Sequence, residues 1–155
     1  MNWGYIAGFI DADGNFTLAK RRNNYEPRIK FTNTNKQCLE EIKRFLGVNL
    51  KVMINNKKGK PSFKPHWKES YVLCVGARKD IKFIIDHVYE HLVIKKKQAK
   101  ILLRFIEIRE NKNIHRKDLV KSLWSPGMSF DEEEAELYKQ MMTLNLAGGK
   151  RRQLT

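Results

Sequence analysis

The sequence predicts an α+β fold: an α-β-β-α-β-β-α core followed by helices to the end of the chain. Three observations predict it. The hydrophobic period is helical up to Ala12 and changes to two directly after Gly14. Two pairs of alternating segments follow, each pair followed by a helical segment. Past Leu92 the pattern is helical throughout. A chain of 155 residues, 41% of them hydrophobic, fits one domain with a buried core. Residues 1–92 form the expected core, 93–147 a helical part and 148–155 a basic tail.

The first helix is expected over residues 3–12, where Tyr5, Ile6, Phe9 and Ile10 have helical spacing. Gly4, Gly8 and Ala12 recur every fourth residue, with Ala7 beside them. Each glycine weakens a helix by up to about 1 kcal/mol, so two in ten residues need a reason. Close approach of another backbone is one, as in tightly packed membrane helices; packing against the chain's own sheet is the other. Gly14 is expected to let the chain turn sharply into a strand. Phe16 and Leu18 then alternate with Thr17, Ala19 and Arg21, and after a polar turn Arg28 to Thr32 alternate again, a hairpin with one apolar and one basic face. A short helix carrying Leu39, Ile42, Phe45 and Leu46 stops at Gly47. The second pair comprises residues 50–55, with Leu50, Val52 and Ile54 inward, and Ser70 to Val75, joined by a turn rich in Lys, Gly and Pro. A helix from about Asp80 to Leu92 completes the core. Beyond it, one helix is expected over Lys95 to Glu110, a shorter one ending near Trp124, and a last one capped by Ser129 or Asp131. Glu132 to Glu134 suit the positive end of that helix and are expected to be solvated.

Charge narrows the function. The net charge is +14 and the pI about 9.9. Residues 15–38 and 48–79 together hold fourteen basic residues and two acids, a surplus of twelve in just over a third of the chain. Such concentration points to a polyanion, and to nucleic acid before others. No apolar run approaches the length of a membrane span, and the N-terminus has neither the positive region nor the cleavage site of a signal peptide. Cys38 and Cys74 lie far apart in no metal spacing, and the expectation is two reduced core thiols. His66, His87, His91 and His115 share no ligand spacing, which leaves surface or capping roles. No membrane partner and no small-molecule substrate is expected.

Asp13 ends the first helix directly before the basic hairpin. Phosphodiester hydrolysis needs a hard cation to generate a nucleophile and to offset charge on the leaving oxygen, and a carboxylate beside a phosphate-binding surface is the usual anchor for Mg²⁺. One carboxylate is too few for a complete site. Pairing of the small-residue helix face with its own copy would bring two Asp13 side chains together, each with its own basic sheet. The expectation is a homodimer, and with it a nearly palindromic nucleic-acid site.

Ile6-Ala7-Gly8-Phe9-Ile10-Asp11-Ala12-Asp13-Gly14 closely resembles the LAGLIDADG motif that names a family of homing endonucleases, with Ile6 and Phe9 in place of leucines. The element order resembles the family's core, and Leu92 to Ala99 is similar to a lysine-containing stretch of its homodimeric members. The resemblance implies that paired motif helices form a dimer interface at Gly4, Ala7, Gly8 and Ala12, and that the sheets form saddles along the major groove of a double-stranded DNA target. Both strands would be cut across the minor groove, leaving short 3′ overhangs. Asp13 would be the essential Mg²⁺ ligand with the backbone carbonyl of Ala12 helping, and Mn²⁺ would substitute. Asp11 would stabilise the helix end. Asn35 would order a water near the scissile phosphate, unless it caps the helix that follows. Lys95 would stabilise charge near the phosphate, with Lys96 and Lys97 as rivals. Leu39 stands where some members have a basic residue, so the support of the water network is open.

Base reading is expected from the face opposite Phe16, Leu18, Ile29 and Phe31. Parity selects Thr17, Ala19, Arg21, Arg28, Lys30, Thr32, Lys51, Met53, Asn55, Lys68, Ser70 and Val72, and the hairpin tips, Arg22 among them, reach outer base pairs or phosphates. Each sheet would cover about 10 bp. The resemblance leaves a rival function, assisting the splicing of intron RNA as a maturase. An intracellular location at DNA is expected, with an organelle and a prokaryotic cytoplasm equally open.

Overall fold

The computed structural model describes residues 1–21, 24–59, 64–119 and 132–151, without the side chains of 113–119 and 147–151. Helix α1 (Trp3–Ala12) is capped by Asn2, whose Oδ1 accepts from the Tyr5 amide at 2.8 Å. Strands β1 (Asn15–Arg21) and β2 (Asn24–Asn33) form the hairpin, helix α2 (Lys36–Leu46) follows, and β3 (Met53–Asn56) and β4 (Ser70–Val75) form the second pair. Helix α3 (Arg78–Val88) ends in a 3-10 turn at Tyr89–His91, and two long helices, α4 (Lys96–Leu119) and α5 (Glu132–Arg151), complete the chain.

The sheet is antiparallel, in the order β1-β2-β4-β3. The helix between β2 and the second pair lets β4, and not β3, lie beside β2. Strand alternation sends Phe16, Leu18, Ile29, Phe31, Leu73 and Val75 into the core, at most 2% exposed. Ile6, Ala7 and Ile10 of α1, Ile81, Ile84 and Ile85 of α3, and Leu102, Phe105 and Ile106 of α4 cover that face. Each such side chain contributes about 1.5–3 kcal/mol when removed from water. Gly47 ends α2 with φ at 67°, a left-handed conformation that a side chain disfavours.

Several elements depart from expectation. The helix after Leu92 does not stop near Glu110: α4 continues to Leu119, while the shorter helix expected near Trp124 and the caps Ser129 and Asp131 lie outside the described residues. The backbone of α5 stays helical through Gly148 and Gly149 to Arg151, past residue 147 where the helical part was expected to give way to a basic tail. The acidic start of α5 is not solvated throughout. Glu134 is buried, bound to Arg109 at 2.7 Å and to Lys112 at 2.9 Å, and Glu133 binds Arg104 at 2.7 Å. These acids dock α5 on α4. Asn145 donates to the carbonyl of Phe16 at 3.1 Å and Tyr138 stacks on Tyr25, so α5 also packs on the first hairpin.

Strand β3 is shorter than its sequence pattern. Leu50, Lys51 and Val52 precede it, and its register with β4 shifts between Ile54 and Asn56. Ile54 pairs with Tyr71 on the core side of the sheet, yet on this edge strand it stays half exposed where the alternating pattern predicts burial.

Candidate active site and nucleic-acid interface

Gly14 controls how the first helix meets the sheet. The amides of Asp13 and Gly14 both donate to the carbonyl of Phe9, at 2.8 and 2.9 Å, so the chain folds back tightly at the helix end. A Cβ on Gly14 would lie 2.6 Å from the Cα of Ile10. The glycine is required by lack of space, not by an unusual backbone angle, which corrects the expected reason. Asp13 occupies the C-cap of α1 with its side chain in solvent.

Asp11 points the other way, to the segment before α4. Its carboxylate accepts three backbone N–H groups, from Val93 at 2.7 Å, Ile94 at 3.2 Å and Lys95 at 3.0 Å. It thereby satisfies donors at the start of α4 that have no helical partner. The same clamp brings the side chain of Lys95 back to α1, where its ammonium donates to the carbonyls of Ile10 at 2.6 Å and Gly14 at 2.7 Å. A cation is thus held beside the negative end of the α1 dipole, one residue from Asp13. Lys96 lies over the ring of Tyr89, 5.4 Å from its centroid, and Lys97 lines a groove between α4 and α5. Of the three rival lysines, Lys95 is the one that meets the end of the motif helix.

Asn35 is the N-cap of α2: its Oδ1 accepts from the amide of Cys38 at 3.3 Å, and its own amide donates to Asn33 Oδ1 at 2.8 Å. Its side-chain oxygen is engaged by the helix. Leu39, where a basic residue had a place, is buried in the core.

Gly4, Gly8 and Ala12 are exposed along one side of α1, and a Cβ on Gly8 would meet nothing within 4 Å. Packing on the chain's own sheet therefore does not account for Gly8. Tyr5, 47% exposed, and Met1 extend the same surface. Ala7 is different. It is fully buried in the chain's own core, so it is not part of a partner-facing surface. Its position on the helix turns it toward the side of Ile6 and Ile10.

Cross-strand register gathers the sheet residues on one face. Thr17 faces Arg28, Ala19 faces Glu26, and Thr32 faces Val72, which faces Met53 in turn. Lys30 lies between Asn15 and Cys74, and Arg21 opposite Asn24. Asn55 donates to Ser70 Oγ at 3.3 Å. Lys51 and Lys68 are exposed but belong to the loops flanking β3 and β4, not to strands. Arg22 lies outside the described residues. Parity could also have selected Asn15 and Cys74, which share this face. Cys74 is therefore not a core thiol; it is only partly buried, and both cysteines are free. Cys38 is partly buried too, with its sulfur 3.5 Å from the Tyr5 hydroxyl. That hydrogen bond, and burial behind it, push the Tyr5 hydroxyl above the usual phenol range. Glu26 is an acid on the basic face. Its hydrogen bond from Arg28, at 2.7 Å, and the nearby charge of Arg21 hold its carboxyl below the usual range.

Among the described residues no group of three or more His, Cys, Asp or Glu side chains converges on a cation site. One chain offers a hard carboxylate at Asp13 and the carbonyl oxygens of a helix end. These donors suit a hard cation such as Mg²⁺, but as part of a site and not the whole.

A family model described as LAGLIDADG endonuclease matches residues 6–109, which contain α1 from Ile6 on, the sheet, and Lys95 with the start of α4. The chain belongs to the LAGLIDADG endonuclease family. Like other LAGLIDADG endonucleases it is a DNA endonuclease, a hydrolase of phosphodiester bonds. Solved structures share the fold. The homing endonuclease I-CvuI, in complex with the I-CreI target in the presence of Mg and with the DNA uncleaved, is 18% identical, with 90% of this chain and 94% of that one covered and a TM-score of 0.53. The archaeal intron-encoded homing endonuclease I-Vdi141I, complexed with DNA, is 21% identical, with 93% and 96% covered and a TM-score of 0.54. The LAGLIDADG meganuclease I-AabMI, bound to uncleaved DNA, is 19% identical, with 83% of this chain but 47% of that one covered and a TM-score of 0.60. No curated protein sequence matches the chain. No helix among the described residues is long and apolar enough to cross a membrane.

Proposed function

We propose that this LAGLIDADG endonuclease is an intron-encoded homing enzyme that acts as a homodimer and cuts both strands of a long, nearly palindromic DNA site with Mg²⁺. The observation that carries the reading is the end of α1: an exposed face of Gly4, Gly8 and Ala12 leads directly to an exposed Asp13. Two such helices crossing at the glycines deliver one carboxylate from each chain to the middle of a duplex. Each sheet then follows the major groove on its own side, with Thr17, Arg28, Lys30, Thr32 and Val72 toward the bases and Lys51 and Lys68 toward phosphates.

In this reading Asp13 and the Ala12 carbonyl hold the cation, together with phosphate oxygens of the DNA. A divalent ion bound there lowers the pKa of water and offsets charge on the leaving oxygen. The chain's residues do the positioning. Asp11 fixes the backbone of Val93 to Lys95. Lys95 holds the last turn of α1 in place and adds a positive charge next to Asp13. Asn35 holds the start of α2 below the sheet, and its amide nitrogen is the part left to orient water. That I-CvuI and I-Vdi141I are described in complex with DNA, the former with Mg, supports the same partner and ion class.

Asp13→Asn separates catalysis from binding. Incubated with Mg²⁺ and a plasmid library carrying random inserts, the native chain should cut a rare site, with Mn²⁺ substituting. The variant should bind that site with a Kd changed by no more than about threefold, under 1 kcal/mol, and leave it intact. Equal cutting by the variant removes Asp13 from the mechanism. Binding of intron RNA without any cutting of DNA supports the maturase reading instead, for which a solvent-exposed acid amid so many cations has no use.

A further inference from the structure

Below the end of β4 lies a cavity of about 250 Å³ that the reading above does not use. The last ladder pair of β4 is Val75 with Ile29, so β2 from Asn24 to Arg28 has β1 on one side and no strand on the other. Instead the chain leaves the sheet at Gly76 and starts α3 at Arg78. The notch is walled by Asn24, Glu26, Arg28, Gly76, Arg78 and Arg109 of α4.

Three guanidinium groups therefore border one small space. Arg28 is bound to Glu26 at 2.7 Å. Arg109 donates to Glu134 at 2.7 Å and to Asn24 Oδ1 at 2.6 Å, yet its Nε–H is buried without an acceptor among the described residues. Arg78 is exposed and makes no ion pair among the described residues. Ala77, the N-cap of α3, has no polar side chain to satisfy the first N–H groups of that helix, whose first turn carries one acid, Asp80. Unsatisfied amides, a helix dipole and planar guanidinium forks all favour a tetrahedral oxyanion.

We propose that this notch binds a phosphate oxyanion, and specifically a backbone phosphate of the duplex flanking the sheet. The proposal rests on the DNA-binding reading for its ligand; it shares Arg28 with the base-reading face, while Arg78 and Arg109 have no part in that face. It makes the notch a clamp at the border of the base-reading face, able to fix register without reading sequence.

Arg78→Gln tests it, because Arg78 makes no contact that the fold needs. Duplex binding is followed by fluorescence anisotropy over a range of salt, on the cognate site and on random DNA. In parallel, inorganic phosphate is titrated into the DNA-free protein and the arginine Nε–H resonances are followed by NMR. The expected result is weaker binding to both DNAs, a log–log salt slope smaller by about 1.8, roughly 0.9 for each notch of the dimer, and phosphate-dependent shifts of Arg78 and Arg109 that the variant loses. An unchanged slope with those shifts present means that the notch takes free phosphate and overturns the backbone assignment. No shift and no change of slope overturns the site altogether. If the native chain binds no duplex, the DNA reading fails by itself, and the phosphate titration still decides whether the notch is an anion site.

Discussion

Asp13 and Asp11 are two residues apart and stand in different surroundings, one in solvent and one gripping three amides. The place of Asp13 could be read from the sequence because it is local: the end of a helix, a glycine, and a basic strand next to it. The partners of Asp11 could not, since they lie more than eighty residues later and nothing in the local pattern points to them. Glu26 was unreadable for a similar reason. Alternation puts it on the basic face, but only the geometry reveals that it neutralises part of Arg28. Its depressed carboxyl contributes stability that is complete above the ordinary carboxylate range and is lost as pH falls through the lowered value. Gly14 carries the sharpest prediction at this scale. In Gly14→Ala the new methyl collides with the backbone of α1 and not with a movable side chain. The expected cost is about 1–3 kcal/mol, seen as a lower Tm, with cleavage falling further than stability because Asp13 is displaced. An unchanged Tm would mean that the helix end can relax.

At the scale of elements, the alternating strands and the first three helices were legible because each buries a single continuous face. The exceptions lie where a tertiary contact overrides the local pattern. The edge strand β3 starts late and carries a register shift that no alternation announces, and Ile54 stays half exposed although it pairs with Tyr71 on the core side. The acidic start of α5 looked like an ordinary helix beginning, yet Glu134 is a docking residue whose partners sit on α4. Glu134→Ala should destabilise the chain by about 1–3 kcal/mol in thermal unfolding. That is less than the value for breaking a fully buried pair, because Arg109 and Lys112 keep a quarter to a third of their side chains in solvent. Glu134→Gln, which keeps the shape and some hydrogen bonds, should lose less. A loss equal for both would assign the effect to charge alone, and no loss for either would separate α5 docking from this network.

At the scale of the whole molecule, the chain covers nearly all of I-CvuI and I-Vdi141I but about half of I-AabMI, which is far longer. These 155 residues hold one copy of a unit whose reaction we assign to two. The glycine face of α1 tests that assignment. Gly8→Leu adds a side chain where the single chain leaves open space, so circular dichroism and the Tm of the isolated fold should hold. Sedimentation should show the native chain as a dimer and the variant as a monomer, with double-strand cleavage lost. A variant that still dimerises and cuts would move the partner surface elsewhere. Gly4, Gly8 and Ala12 were readable as a surface from their spacing, whereas only burial could take Ala7 away from it.

The three amides gripped by Asp11, and the ammonium that returns from Lys95 to the same helix, have an implication for engineering. Transplanting the nine-residue motif into another scaffold would carry the acid but leave its counter-charge behind. Any functional graft must import the stretch around residues 93–95 as well, and must keep the two at their native spacing.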